Sequence, residues 1–161
     1  GSYQSVIKIS PEEWSASDPA SVQINGYTWD VIASGKEVAL VGKEIQALFA
    51  ECGIQRGSAV FICQNPSFDR AFFNQLVDVY TQEHLNWPYH WLDFASMYWS
   101  KLVQTTLNEG KSLPEKVSVS KNDIAKLYHL EPEKSPHRGI QGVDHLLLCY
   151  QALFGIRFLD N

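Results

Sequence analysis

The sequence has no run of eighteen or more apolar residues, and its first residues carry neither a basic segment nor an apolar leader core. Neither a membrane span nor a signal peptide is expected. Cysteine is scarce and odd in number: Cys52, Cys63 and Cys149 are the three, widely spaced and each inside an apolar stretch. They read as buried thiols in a reducing compartment, which predicts a cytoplasmic protein. Basic residues are few as well, with 13 Lys and Arg against 18 Asp and Glu and a formal net charge of -5. A protein that holds long nucleic acid by counterion release needs the opposite balance, which argues against that mode. A short substrate gripped in a local pocket is not excluded, and carboxylates that hold metal ions themselves make a chain look acidic. His84, His90, His129 and His145 show no metal-ligand spacing with the cysteines, which argues against zinc. Internal repeats, low-complexity segments and linkers are also absent.

What is present suits one α/β domain. The 161 residues are 45% hydrophobic, enough for an ordinary core. Gly1-Ser2 reads as a cloning scar and residues 3–161 as a single domain. Residues 3–9 alternate and are rich in Val and Ile, which predicts a strand; Ser10-Pro11-Glu12-Glu13 then supplies a helix cap. Residues 18–35 read as polar turns. Residues 38–52 place Val41, Ile45, Leu48 and Phe49 on one helical face, and residues 59–63 form a short apolar run that fits a buried strand. A helix over 69–80, a brief strand at 90–92 and a helix over 94–103 follow, then an exposed loop at 108–119. A capped helix over 120–130 and a strongly apolar helix over 142–154, closed by Gly155, complete the alternation of strands and helices. Trp87, Trp91, Tyr98 and Trp99 read mainly as core aromatics, with base stacking as the alternative.

Two runs carry chemistry. In Phe61-Ile62-Cys63-Gln64-Asn65-Pro66-Ser67-Phe68-Asp69 a strand ends in a turn and an acid opens a helix. A carboxylate at the carboxyl edge of a sheet can reach a metal, although Asp69 also fits a simple first-turn acid that complements the helix dipole. In Ser135-Pro136-His137-Arg138-Gly139-Ile140-Gln141-Gly142-Val143-Asp144-His145 a polar loop delivers two histidines and an acid to the start of an apolar helix. A loop histidine can take a proton from water at neutral pH; a solvated loop with a capping acid is the bland reading. Pro136 and Gly139 predict that this loop is mobile.

In this order the runs match a family. Gln64-Asn65-Pro66-Ser67-Phe68-Asp69 resembles the second motif of DEDDh (DnaQ-like) 3′-to-5′ exonucleases, usually His-Asn-x-x-Phe-Asp, with Gln64 in place of the histidine. Tyr89-His90-Trp91-Leu92-Asp93-Phe94-Ala95-Ser96 resembles the family's strand that ends in Leu-Asp, as in oligoribonuclease. Ile24-Asn25-Gly26-Tyr27-Thr28 looks like its Ile-His-Gly-Ile-Thr element. Asp123-Ile124-Ala125-Lys126-Leu127-Tyr128-His129-Leu130, followed by His137-Arg138-Gly139-Ile140, looks like the helix and His-Arg-Ala-Leu loop of its third motif.

The resemblance implies an RNase H-like mixed sheet flanked by helices, with residues 3–9 at one edge, 59–63 inside and 90–92 at the other edge. It also implies a hydrolase that trims short single-stranded RNA or DNA with two Mg²⁺ or Mn²⁺ ions. Asp69 corresponds to a metal ligand and His137 to the general base facing a common cleft with it; Asn65, Phe68 and Arg138 would meet the nucleic acid, Asn65 also bracing the loop and Phe68 packing beneath the site. Two departures stand out. The first-motif Asp-x-Glu and its strands would precede Tyr3, and the sheet would be filled from outside these residues or by a neighbouring chain, as in a homodimer. The third-motif acid, five positions after the histidine, falls on Gly142; Asp144, two positions further on and about 200° around an ideal helix from that direction, is the candidate metal ligand in its place if the helix starts late or the loop is longer. The alternative is a catalytically inactive relative that binds nucleic acid or a protein partner.

Overall fold

A computed structural model describes residues 1–157. In these residues the chain runs α1 (Pro11–Ser15), α2 (Pro19–Asn25), α3 (Trp29–Ala33), α4 (Val38–Glu51), β1 (Phe61–Cys63), α5 (Pro66–Leu76), α6 (Val79–His84), β2 (Trp91–Asp93), α7 (Phe94–Asn108), α8 (Lys121–Leu127) and α9 (Gly139–Phe154). The class is α/β, mostly helical, and no helix among the described residues is long and apolar enough to cross a membrane.

The strands β1 and β2 pair directly and in parallel, with Phe61 opposite Trp91 and Cys63 opposite Asp93. They form the one sheet of the described residues, so the mixed sheet expected from the sequence is not present in them. Residues 3–9 are not a strand. They touch extended backbone at a single bridge, where the Lys36 N–H donates to the Val6 carbonyl at 2.8 Å and the Lys8 N–H to the Lys36 carbonyl at 2.9 Å. The alternating pattern has a different cause: Tyr3 and Ile7 pack against the cluster on α4, and the Tyr3 hydroxyl donates to Glu44 at 2.6 Å.

Residues 18–35, expected as polar turns, contain the two short helices α2 and α3; a polar side chain caps the first, whereas Thr28 at the start of α3 makes no side-chain cap bond. Asp18 accepts from the Ser21 N–H at 2.9 Å and Pro19 opens α2. The helix expected over 69–80 starts earlier, at Pro66, and breaks at Val77, whose backbone is extended; Asp78 then caps α6. Cys52 is exposed at the end of α4, beyond its apolar face, whereas Cys149 is buried and Cys63 half-buried.

Two apolar clusters lie on opposite sides of the small sheet. Val41, Ile45, Val77 and Trp87 form one, and Phe94, Tyr98, Ile124, Ala125, Cys149 and Leu153 the other. The two-residue period of β1 divides its side chains between them. Phe61 stacks on Trp91 with centroids 4.1 Å apart and meets Phe73 at 5.5 Å, while Ile62 packs on the second cluster. Of the aromatic group, Trp87 and Tyr98 are core and Trp99 is exposed.

Helix α4 approaches α5 through Gly42, where an added Cβ would run into the carbonyl group of Leu76. Backbone cannot yield as a side-chain tip can. Gly42→Ala is therefore expected to destabilise by about 1–3 kcal/mol, in spite of a helix-propensity gain of about 1 kcal/mol. Urea denaturation would measure it, and a gain in stability would contradict this close approach.

Candidate functional site

Because β1 and β2 are parallel, both end at the same edge of the sheet and both release a helix there. Asp93 ends β2 and caps α7, accepting from the N–H groups of Ala95 and Ser96. Asp69 sits in the first turn of α5, just past β1. Between these acids lies Cys63. Burial, then the Asp69 charge and hydrogen bond, and then the Asp93 charge push its thiol up to about 12.

The raised value places the linkage on the alkaline side. The protonated thiol contributes stability below the unfolded value of 9.0, and that contribution is lost as pH rises through about 12. At pH 8 the native chain should alkylate with iodoacetamide at exposed Cys52 while Cys63 stays protected. Peptide mass spectrometry reads the order; Cys63 reacting first would contradict this environment.

A cleft of about 600 Å³ opens along this edge, with Asn65, Phe68 and Asp69 on one wall and Lys121, Glu133 and His137 on the other. Asp69 and His137, far apart in sequence, thus line one cavity. The His137 side chain is 52% exposed and lies outside the apolar core. Its loop, expected to be mobile, is held at several points: the His137 N–H donates to the Ile24 carbonyl at 3.0 Å and Arg138 Nη2 to the Gly26 carbonyl at 3.1 Å. The Arg138 guanidinium also lies 4.0 Å from the centre of the Tyr27 ring. Arg138 thus helps to anchor the loop on the segment 24–28. Phe68 does not pack beneath the site; it is 62% exposed, its ring 4.7 Å from that of Phe72. Asn65 is exposed at the start of α5, where its carbonyl accepts from the N–H groups of Phe68 and Asp69.

Asp144 is elsewhere. Helix α9 begins at Gly139, so Asp144 turns to a second cavity of about 220 Å³ beside Glu131 and His145. Gly142 lines the Asp69 cleft instead. The position that the resemblance reserves for an acid therefore faces the cleft without a side chain.

Two residues unremarked in the sequence occupy that space. Glu133 has a side chain only 9% exposed, with Oε2 3.0 Å from Lys121 Nζ and Oε1 2.9 Å from His137 Nδ1. Lys121, 14% exposed, also donates to the Gly142 carbonyl at 3.0 Å. On the far side Gln64 Nε2 donates to the Val119 carbonyl at 2.7 Å, tying β1 to the loop before α8. Among the described residues no group of three or more His, Cys, Asp or Glu side chains is gathered to hold a metal ion. With Asp69 and Asp144 in separate cavities, these side chains do not by themselves fit a two-ion centre.

No protein-family model, curated protein or solved structure matches the chain.

Proposed function

We propose that this cleft receives the 3′ end of a short single-stranded RNA or DNA, and that the chain forms part of a DEDDh-type exonuclease of RNase H-like fold. The observation that supports it is the meeting of Asp69 and His137 in one cavity at the carboxyl ends of two parallel strands. On this reading His137 takes the proton of the water that attacks the terminal phosphodiester. Among the described residues β1 pairs with β2 alone, and on this reading its other edge accepts the remaining strands, from outside these residues or from a neighbouring chain. Those strands bring the carboxylates that hydrolysis with Mg²⁺ or Mn²⁺ requires. The second reading, an inactive relative that retains the binding cleft, is favoured by Gly142 and by the neutralisation of Glu133 by Lys121.

Binding separates both readings from an unrelated α/β domain. Titration of the isotope-labelled chain with a five-nucleotide single strand should shift the amides of residues 65–69 and 137–139. Shifts confined to other faces would remove the proposal. Because the chain is acidic and the cleft small, affinity should fall with salt on a log–log slope of about -1, as for one or two phosphates released from counterions. A slope steeper than about -4 would indicate a long electrostatic track instead.

A further inference from the structure

His137 turns Nδ1 inward, 2.9 Å from Glu133 Oε1. That oxygen is sealed from solvent and receives no aligned hydrogen bond, while its twin on the same carboxylate is held by Lys121. A buried carboxylate oxygen without a donor is costly, and the donor at hand is a proton on Nδ1, which a turn of the imidazole would align. An ion pair with Lys121 alone would need only Oε2. The room for this arrangement comes from Gly142: a Cβ there would stand 3.0 Å from Glu133 Oε1 and 3.6 Å from His137 Cε1.

We infer that Glu133 is the positioning residue of His137, holding the neutral imidazole as its Nδ1–H tautomer and leaving Nε2 unprotonated, with the bare position 142 making the space. The carboxylate that the resemblance would place on α9 is replaced by one from the preceding loop, which acts through the histidine. The value of Nε2 as a proton acceptor rests on the function proposed above; the tautomer itself does not.

The test is long-range ¹H–¹⁵N correlation of the imidazoles in the full chain, at a pH where His137 is neutral. The wild-type chain should show His137 as Nδ1–H. Glu133→Gln should reverse it: Lys121 requires an acceptor, so the amide oxygen faces Lys121 and its NH₂ donates to Nδ1, which moves the ring proton to Nε2. Glu133→Ala should also give Nε2–H. His145 is the internal control, because its Nε2 lies 2.9 Å from the Glu131 carbonyl, which can only accept. Its Nε2–H signal should persist in every folded variant. A wild-type His137 protonated at Nε2 would overturn the inference, as would an Nδ1–H tautomer that survives Glu133→Gln with the His145 signal intact. A chain with the expected tautomer but no nucleic-acid binding would retain this inference and lose the proposed function.

Discussion

Phe94→Ala is expected to lower the free energy of unfolding by about 3–5 kcal/mol, the range for a buried phenylalanine cut back to a methyl group. Phe94 is fully buried and is the first residue of α7, directly after the Asp93 that ends β2. Its ring shares a cluster with Ile124 of α8 and Cys149 of α9, so the cavity left behind would be bordered by three helices. Domains of this size are commonly stable by about 5–15 kcal/mol in all, which makes the loss a large share. Phe94→Leu, which keeps most of the volume, should cost less than about 1.5 kcal/mol. Phe68→Ala is the contrasting case: 62% exposed, it should change stability by less than about 0.5 kcal/mol. Stacking of a base on it would nonetheless make the same substitution weaken single-strand binding by about 1–3 kcal/mol. Urea denaturation followed by circular dichroism ranks the three, and a Phe94→Ala loss below about 1 kcal/mol would contradict the packing described.

The second large effect concerns hydrolysis. The chain of 161 residues should trim single strands little or not at all with Mg²⁺ or Mn²⁺, because Asp69 alone cannot offset the repulsion between two cations. In a version extended upstream of Tyr3 that supplies an Asp-x-Glu, trimming should appear, and Asp69→Ala and His137→Ala should each slow it by at least about 10²-fold. Asp144→Ala should leave the rate unchanged, since Asp144 lines the other cavity. Metal-dependent trimming by the shorter chain that survives Asp69→Ala would end both the mechanism and the assignment of Asp69.

The long helices were legible because their apolar residues recur at the helical period, and the two three-residue strands as short apolar runs, which period alone does not identify. Helix α4 and helix α9 fall close to where Val41, Ile45 and the run before Gly155 place them. The short helices α2 and α3 were hidden: α2 because Asp18, which caps it, looks like a turn residue, and α3 because its five residues are too few to show a period. Residues 3–9 misled for the opposite reason: alternation reports a half-buried extended segment, which need not have a strand beside it. In the cleft, Asp69 and His137 were legible from the motif residues around them. Glu133 and Lys121 were not, because their contact depends on how a loop folds back between α8 and α9, and no spacing encodes that. The contact of Arg138 with Tyr27 was not legible, because it joins two segments distant in sequence.

The loop between α7 and α8 divides the chain at an informative place. Lys111 and Lys116 lie exposed within it, and firm attachment resumes only at Val117, which packs on the second cluster, and at the Val119 carbonyl. Asp69 lies before this loop, whereas Lys121, Glu133 and His137 follow it. Tryptic cleavage there would yield two pieces, each carrying one wall of the cleft and neither carrying both. Their reassociation would be driven by burial of α8 and α9 against Phe94 and Tyr98, so noncovalent complementation of the fragments would rebuild the cavity as a heterodimer. The affinity of the two pieces for each other would then report directly how strongly the core holds Asp69 and His137 face to face.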